Sequence, residues 1–425
     1  MGELVVLLNG ERVGVVRQHR GGNLTLTYDQ TWRDRPDAYP LSLSMLLVRQ
    51  DHPDAVVRPY LEGLLPDNTD VLDRWAREFQ ISPRNPFALL RYMGGDCAGA
   101  VQLIPPNELG SLVDEPSAIE WLTETEVAER LRDLVEHHGT GRLAGDRGYF
   151  SLAGAQPKTA FVHDGERWGI PSGATPTTHI LKPPAQRGLD GFDINEHFCL
   201  KLAKKLGLAA AESTVRNFDG EAAIVVARYD RRRLENGQLV RLHQEDTCQS
   251  LAVPPRIKYE ADGGPGAPAL VQLLIDEADD PDADVGAFFD ALALNWVIAG
   301  TDAHAKNYSF LIGPGSVRLA PLYDLISVLP YPHWISYRRA KLAMRVDREY
   351  QVWKIRARHW RGLAERCGLD SDPVMDRVRE LVTAIPSAVA QAAAEVREEG
   401  LDHEIVDRLE VLIGEHAEAC VRVLG

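Results

Sequence analysis

The 425-residue sequence contains no uninterrupted apolar run of the roughly 18 residues that a membrane-spanning helix needs. Its amino terminus also lacks a basic segment followed by an apolar core, so no signal peptide is predicted. The five cysteines lie far apart and form no Cys-x-x-Cys pair, which favours reduced thiols over a disulfide framework. We therefore expect a cytoplasmic protein that makes no contact with membranes.

Positive charge is also scarce, with 47 Lys and Arg against 62 Asp and Glu and a net charge of −15. Such a chain repels nucleic acid unless a local basic patch or a partner compensates, which argues against autonomous DNA binding. The sequence shows no internal repeat, no low-complexity tract and no Gly-x-Gly-x-x-Gly phosphate loop. What remains is an ordinary globular composition, 44% hydrophobic and 26% charged, long enough for two or three domains.

The first part of the chain has the pattern of a small β-rich module. Asn9-Gly10 separates two strand-like runs and is typical of a two-residue hairpin turn with positive φ angles. The further elements predicted here are a strand at 24–28 and helices at 71–78 and 86–93. Residues 1–105 are therefore predicted to form one mixed α/β module.

The remaining sequence changes from strand-like to helical patterns. Residues 106–148 read as a proline-containing linker and a helix at about 124–138, capped by Thr123 or Thr125. The strand-like runs of residues 149–235 lie at 159–162, 178–182 and 222–227, with one helix at 195–206. Residues 236–425 are predicted to be helical, almost wholly so from Val285 onward. The order favours an α+β, two-lobed protein-kinase-like fold, with a mixed α/β N-lobe that includes the β-rich module and an all-α C-lobe.

Asp302, Asn307 and Asp324 have the spacing that phosphoryl transfer requires. Asp302 follows a predicted helix at about 285–299 that ends near Gly300. An aspartate in such a loop can accept the proton of a substrate hydroxyl, while an amide oxygen and a second carboxylate can hold Mg²⁺ on nucleotide phosphates. The alternative is a structural hydrogen-bonded turn, although the carboxylate of Asp324 within an apolar run then needs a partner.

A lysine and a phosphate loop should accompany this triad if the chain binds ATP. Lys182 ends a predicted strand, and Glu196 on the following helix could orient it through an ion pair. The segment 151–158, Ser-Leu-Ala-Gly-Ala-Gln-Pro-Lys, could bring successive backbone N–H groups to an anion. A solvated strand-end lysine and a plain Gly-Ala turn explain these two features equally well.

Two further segments of the sequence are rich in charged residues. Arg231, Arg232 and Arg233 are best explained as a solvated turn, with contact to an acidic substrate or nucleic acid as the alternative. The segment 254–265 is too rich in loop-forming residues for a core and too aromatic and charged for a plain linker. We hypothesise that it covers the substrate entrance.

Taken together, six motifs resemble one protein family. They are, in chain order, Ser-Leu-Ala-Gly-Ala-Gln-Pro-Lys at 151–158, Thr-His-Ile-Leu-Lys-Pro at 178–183, Gln-Glu-Asp-Thr-Cys-Gln at 244–249, Lys-Tyr-Glu at 258–260 with Asp-Gly-Gly-Pro at 262–265, Thr-Asp-Ala-His-Ala-Lys-Asn at 301–307 and Pro-Leu-Tyr-Asp at 321–324. Their order resembles that of the HipA family, the serine/threonine-kinase toxins of bacterial type II toxin–antitoxin modules. The hairpin and the run 59–67 also look like that family's N-terminal module.

The resemblance implies a role for each motif residue. Asp302 matches the catalytic base, Asn307 and Asp324 the Mg²⁺ ligands, and Ser151 the serine that family members autophosphorylate to switch themselves off. Pro157 stands where an acidic residue is common in relatives. The positions that the resemblance assigns to ATP are Ala153, Gly154, Ala155, Gln156, Pro157, Lys158, Lys182, Ala227, Arg228, Tyr229, His304, Ala305, Lys306, Asn307, Tyr323 and Asp324.

The resemblance also implies an activity and partners. Family members use ATP and Mg²⁺ to phosphorylate serine on protein substrates, with aminoacyl-tRNA synthetases the known class. A small helix-turn-helix antitoxin neutralises them and supplies most of the contacts to operator DNA, which would reconcile an acidic chain with a role in repression. Two alternatives stay open: a catalytically silent module that acts only in antitoxin-bound repression, and a small-molecule kinase. The particular substrate, toxicity and oligomeric state do not follow from the sequence.

Overall fold

The computed structural model of the chain describes residues 2–110, 118–136, 150–184 and 188–425. Contacts between Cα atoms divide it into two compact units, each assembled from separate stretches of sequence. The first unit comprises residues 1–183, 216–256 and 310–317. The second unit comprises residues 184–215, 257–309 and 318–425.

The first unit begins with a five-stranded antiparallel sheet of order β4-β3-β2-β1-β5. Its strands are β1 (Gly2–Leu8), β2 (Glu11–Gln18), β3 (Leu24–Tyr28), β4 (Asp51–His52) and β5 (Val101–Ile104). Asn9 and Gly10 both have positive φ, 50° and 86°, and Leu8 pairs with Glu11 across the turn. The predicted hairpin and third strand are thereby confirmed.

Helices cover one face of this sheet and form a core with it. They are α1 (Gln30–Arg33), α2 (Asp54–Gly63), α3 (Thr69–Phe79) and α4 (Pro86–Met93). The last two confirm the helices predicted at 71–78 and 86–93. The helix α4 begins as its sequence suggests, because Pro86 occupies the first turn and the Asn85 side chain accepts a hydrogen bond from the Ala88 N–H.

A six-stranded sheet forms the second layer of the first unit, in the order β10-β11-β9-β7-β8-β6. Its strands are β6 (Ile119–Leu122), β7 (Thr159–His163), β8 (Trp168–Pro171), β9 (His179–Lys182), β10 (Ser213–Phe218) and β11 (Glu221–Ala227). The helix α5 (Glu124–Glu136) packs its apolar face into the core of this sheet. Thr123 caps it as predicted, since its hydroxyl accepts the Glu126 N–H while the Glu126 carboxylate accepts the Thr123 N–H. The part of the predicted helix beyond residue 136 lies outside the described residues.

The second unit is mainly helical. Its helices are α6 (Phe192–Lys205), α8 (Ala267–Glu277), α9 (Pro281–Val297), α10 (Ala357–Arg366), α11 (Ser371–Glu398) and α12 (Glu404–Leu424). The short α7 (Thr247–Ser250) lies between α6 and α8 in the sequence and belongs to the first unit. The long helix α11 packs against α6, α9, α10 and α12. In α12 one face is buried at Ile405, Leu409, His416 and Cys420.

Residues 236–425 also contain strands, which the helical prediction missed. They are β13 (Leu239–Arg241), which pairs with β12 (Arg231–Arg233), the sheet β14 (His243–Asp246), β15 (Ser309–Gly313) and β16 (Ser316–Leu319), and the hairpin β17 (Lys341–Val346) with β18 (Glu349–Gln351). Each has at most six residues, too few for alternation to separate a strand from a helical turn. Two of the connections turn at residues with positive φ, Gly315 and Asp347.

The cysteines agree with the expectation of reduced thiols. All five cysteines are unpaired thiols, as predicted. Burial raises the pKa of Cys97 and of Cys199 to about 12, so neither thiol is a nucleophile at neutral pH.

Within the described ranges, no helix has the length and apolarity that spanning a membrane demands.

Candidate active site

In the second unit, the predicted catalytic loop follows directly on α9. The helix ends at Val297, and Ala299 then adopts a positive φ of 52° that turns the chain away from the helix axis. Gly300 is required next, because a Cβ there would lie 2.3 Å from Oδ1 of the buried Asn295. The turn leaves Asp302 exposed to solvent, where a substrate can reach its carboxylate.

Asp302 and Asn307 come together through the backbone of this loop. The carbonyl oxygen of Asp302 accepts hydrogen bonds from the Asn307 side-chain Nδ2 at 3.0 Å and from the His304 N–H at 2.8 Å. Because the amide nitrogen of Asn307 points to that carbonyl, its Oδ1 is directed to the opposite side. The loop thus orients an amide oxygen five residues after an exposed carboxylate.

Tyr323 fixes the other end of the same loop. Its hydroxyl donates to the carbonyl oxygen of Lys306 at 2.6 Å and lies 2.6 Å from the Ser309 hydroxyl. His304, Ala305, Lys306 and Asn307 are all buried. The segment from Asp302 to Tyr323 is therefore a connected network rather than a loose surface turn.

Asp324 follows Tyr323 in a strained backbone conformation. Its φ of 58° lies in the left-handed region, which costs a residue other than glycine about 1–3 kcal/mol. Such strain persists only when surrounding contacts fix it, and it is concentrated at functional sites. Asp324 is half-buried, next to the buried Leu322 and Leu325. The strain supports a functional role for this carboxylate.

In the first unit, the predicted phosphate loop is held by the N-terminal module. Ser151 is fully buried, its hydroxyl donates to the carbonyl of Leu64 at 2.7 Å, and its N–H donates to the carbonyl of Asp96 at 3.0 Å. Further along, the carbonyl of Gly154 accepts the Asp67 N–H at 3.1 Å. These contacts hold the loop at both ends, and in this conformation the Ser151 hydroxyl is shielded from solvent.

Lys158 closes the loop on itself. Its Nζ donates to the carbonyl of Ala153 at 2.8 Å. Gly154 has a φ of 108°, and a Cβ there would lie 2.4 Å from that same Nζ. Only glycine allows the lysine to approach this closely. Ala155, Gln156 and Pro157 complete the turn and, with Trp75 and Val71 of α3, line a shallow groove.

Lys182 lies in the middle of the six-stranded sheet. It ends β9, which pairs with β7 on one side and with β11 on the other, where Lys182 faces Ile224. The side chain is buried rather than solvated, so the alternative of a plain strand-end lysine does not hold. Glu196, its expected partner, is a buried residue of α6 in the second unit.

Ala227, Arg228 and Tyr229, which the resemblance assigns to ATP, lie at the end of β11 and directly after it. Ala227 pairs with His179, and the Arg228 N–H donates to the carbonyl of Thr178 at 2.9 Å. The Arg228 N–H is thus used within the sheet. The Tyr229 hydroxyl donates to Gln244 Oε1.

The side chain of Arg228 belongs to a buried ionic cluster, the Asp96 cluster, which consists of Asp96, Thr177, Arg228, Asp230, Arg231 and Arg241. Asp96 Oδ2 accepts hydrogen bonds from the Thr177 hydroxyl at 2.6 Å and from Arg228 at 3.3 Å. Asp96 Oδ1 accepts from Arg231 at 2.9 Å and from Arg241 at 3.2 Å. Burial alone would raise the pKa of Asp96, but the charges of Arg231, Arg228 and Arg241 lower it far below its ordinary value.

The cluster corrects one prediction and reveals residues that the sequence analysis missed. Arg231 is not part of a solvated turn: its side chain is 2% exposed, and its guanidinium donates to Asp96 and to the carbonyl of Gly99. Arg232 and Arg233 are more exposed. Asp96 was missed, although an acidic residue that directly follows Gly94-Gly95 and precedes a buried strand indicates a buried polar position.

The residues present fit a magnesium ion held mainly by nucleotide phosphates. Within the part of the chain that the structure describes, no group of three or more His, Cys, Asp or Glu side chains could hold a metal alone. Magnesium in nucleotide sites characteristically uses one or two protein oxygens and completes its shell with phosphates and water. The outward Oδ1 of Asn307 and the strained carboxylate of Asp324 are oxygen donors of this kind.

Comparison with known proteins agrees with this description. A family model described as the HipA N-terminal domain matches residues 4–104, and one described as the HipA-like C-terminal domain matches residues 150–389. A protein of Sinorhizobium fredii named putative kinase Y4mE is 37% identical over 393 residues, which are 91% of each chain. The serine/threonine-protein kinase toxin HipA of Shewanella oneidensis is 30% identical over 348 residues, 78% of this chain and 76% of its own.

A solved structure supports the fold. HipA in the complex of HipA, HipB and operator DNA from Shewanella oneidensis superposes with a TM-score of 0.84 at 24% identity, over 99% of this chain and 98% of that chain. The fold places the chain in the class of kinase-like proteins, which confirms the predicted fold class. Because the C-terminal model alone covers more than half of the sequence, the chain belongs to the HipA family.

Proposed function

We propose that this chain is an ATP-dependent serine/threonine protein kinase that acts in the cytoplasm as the toxin of a type II toxin–antitoxin module. The observation that carries the proposal is the hydrogen bond from Asn307 Nδ2 to the Asp302 carbonyl. It gives the loop the two groups that phosphoryl transfer needs: an exposed carboxylate and an oriented amide oxygen.

Asp302 is the catalytic base in this proposal. Its exposed carboxylate accepts the proton of the acceptor hydroxyl as that oxygen bonds to the γ-phosphorus of ATP. Asn307 and Asp324 hold Mg²⁺, which neutralises charge on the phosphates when it is bound. The buried Lys182 and the loop Ala153–Lys158 bind the phosphates, and Ala227–Tyr229 contact the adenine. His304–Lys306 and Tyr323 are further nucleotide contacts in this proposal.

Ser151 provides the off-switch in this proposal. Its buried hydroxyl, bonded to Leu64, must leave its position before it can accept a phosphate. A phosphoserine carries about −2 charge and cannot return to an uncharged buried carbonyl without a large desolvation penalty. Autophosphorylation would therefore keep the loop out of its ATP-binding conformation.

The partners follow from family membership and charge. We assign to the chain a helix-turn-helix antitoxin, because the HipA structure it resembles is complexed with HipB and operator DNA. The net charge of −15 favours a basic antitoxin as the main source of DNA contacts. A translation component such as an aminoacyl-tRNA synthetase is the proposed protein substrate.

The direct test is transfer of the γ-phosphate from labelled ATP with Mg²⁺, to the protein itself and to proteins of a cell lysate. Wild type should label Ser151 and at least one lysate protein. Asp302→Asn should label neither, and Ser151→Ala should lose self-labelling but keep transfer to the lysate protein.

The two alternatives have distinct outcomes in the same assay. Absence of transfer by the wild-type protein, with ATP binding intact, would favour a catalytically silent module. Label found on metabolites but on no protein would favour a small-molecule kinase. Growth arrest on expression, relieved by the protein encoded beside this gene, would support the toxin assignment.

A further inference from the structure

A hydrogen bond joins the proposed catalytic base to a residue with no role in the assignments above. The Tyr259 hydroxyl donates to Asp302 Oδ1 at 2.5 Å. Hydrogen bonds to an ionised carboxylate are short and stronger than neutral ones. Since Asp302 is exposed, little packing would otherwise restrict the rotation of its carboxylate.

Tyr259 is itself attached to the catalytic loop on two further sides. Its ring meets the ring of His304 edge-on, with centroids 4.9 Å apart and planes at 81°. The backbone carbonyl of the preceding Lys258 accepts the Ala305 N–H at 3.4 Å. The hydroxyl, the ring and the adjoining peptide thus contact three consecutive parts of the loop.

The segment that carries Tyr259 is rigidly held. Glu260 pairs through Oε1 with Arg345 Nε at 2.9 Å and accepts the Arg345 N–H through Oε2 at 2.8 Å. A Cβ at Gly264 would lie 2.0 Å from the carbonyl oxygen of Ile257, and one at Gly266 would lie 2.2 Å from Glu260 Oε1. The turn therefore requires both glycines, and it fixes where the Tyr259 hydroxyl lies.

We propose that Tyr259 is a positioning residue that fixes the carboxylate of Asp302 for proton transfer. Its hydroxyl donates to Oδ1, and the carboxylate held in this way takes the proton of the acceptor hydroxyl. The acceptor oxygen forms its bond to the γ-phosphorus as the bond from that phosphorus to the β,γ-bridging oxygen breaks, and ADP leaves with the electron pair. The proposal rests on the proposed kinase function and gives one residue of the segment 254–265 a defined contact.

The test is Tyr259→Phe, which keeps the ring against His304 and removes the hydroxyl alone. We expect kcat to fall about tenfold with the KM for ATP unchanged, because one charge-assisted hydrogen bond on the base is lost. Tyr350→Phe, a half-buried tyrosine of β18, is the matched control and should leave kcat unchanged. In an Asp302→Asn background, Tyr259→Phe should not change the residual rate further.

The outcomes separate this proposal from the kinase assignment. If Asp302→Asn abolishes transfer while Tyr259→Phe keeps the wild-type kcat, the kinase function stands and the positioning role is wrong. An equal loss from Tyr259→Phe in the Asp302→Asn background would show a merely structural role. If the wild-type protein transfers no phosphate, the ¹³C shift of the Asp302 carboxyl at neutral pH still decides. That signal should move in Tyr259→Phe and not in Tyr350→Phe, and an unmoved signal overturns the proposal.

Discussion

Asp96 and Asp302 show two opposite uses of the same side chain. Asp96 is 5% exposed, and its carboxylate accepts hydrogen bonds from Thr177 and from three arginines. Asp302 is exposed, and the donor to its Oδ1 is the uncharged Tyr259 hydroxyl. A carboxylate surrounded by buried cations cannot take up a proton near neutral pH. The carboxylate of Asp302 is exposed instead, where the hydroxyl of a substrate can reach it. The comparison distinguishes an aspartate that holds the first unit together from one that is suited to chemistry.

The sharpest test of this contrast is Asp302→Asn. The amide cannot accept the proton of the acceptor hydroxyl, so kcat should fall about a thousandfold. The melting temperature should stay close to that of wild type, because the side chain is exposed. Phosphate transfer and thermal unfolding, measured on the same preparation, check both parts. A large fall in the melting temperature of Asp302→Asn would show that Asp302, like Asp96, stabilises the fold, and it would contradict this comparison.

Asp96→Asn should show the reverse pattern, with its main effect on stability. Removing one partner of a buried ionic cluster costs about 3–5 kcal/mol of unfolding free energy. The folded-state pKa of Asp96 is depressed, so its stabilisation is complete above the unfolded pKa of about 3.9 and is lost as the pH falls below that value. Urea unfolding of both proteins from neutral pH down to about pH 3 measures this. The difference in stability between wild type and the variant should narrow at the acid end, and parallel curves would contradict the account.

The sequence predicted the elements that have a clear turn signal or a regular pattern. The hairpin at Asn9-Gly10, the helix α4 and the strands around Lys182 follow from turn chemistry and periodicity. The Asp302–Asn307 loop stood out because polar residues interrupt apolar runs. The Asp96 cluster could not be predicted, since its members lie up to 145 positions apart and meet only in the folded chain. The anchoring of Ser151 was equally invisible, because Leu64 contributes only a backbone carbonyl.

Three consecutive arginines allow one member of the Asp96 cluster to be compared with its two neighbours in the sequence. Arg231→Ala should lower the unfolding free energy by about 3 kcal/mol, because it leaves Asp96 and Asp230 with less compensation in a buried site. Arg232→Ala and Arg233→Ala remove the same charge from more exposed positions and should each change it by less than about 0.5 kcal/mol. Chemical unfolding of the three variants provides the comparison. Equal effects at all three positions would restore the interpretation as a solvated turn.

Glu245 is a second buried carboxylate that can be compared with Asp96. It accepts a hydrogen bond from a backbone N–H, whereas Asp96 accepts hydrogen bonds from arginines. Its Oε1 accepts the Leu43 N–H at 2.8 Å, and burial raises the pKa of Glu245 to about 8. The folded state therefore binds a proton that the unfolded state releases above about pH 4.3, and stability should decline as the pH rises from there to about 8. Glu245→Gln keeps the shape without the charge and should remove this decline, while the exposed Glu235→Gln should preserve it. Unfolding free energies at about pH 5 and pH 8 measure the slope. If the unfolding free energies of wild type and Glu245→Gln decline equally as the pH rises, Glu245 is ionised in the folded protein. The proposed difference between Glu245 and Asp96 would then be wrong.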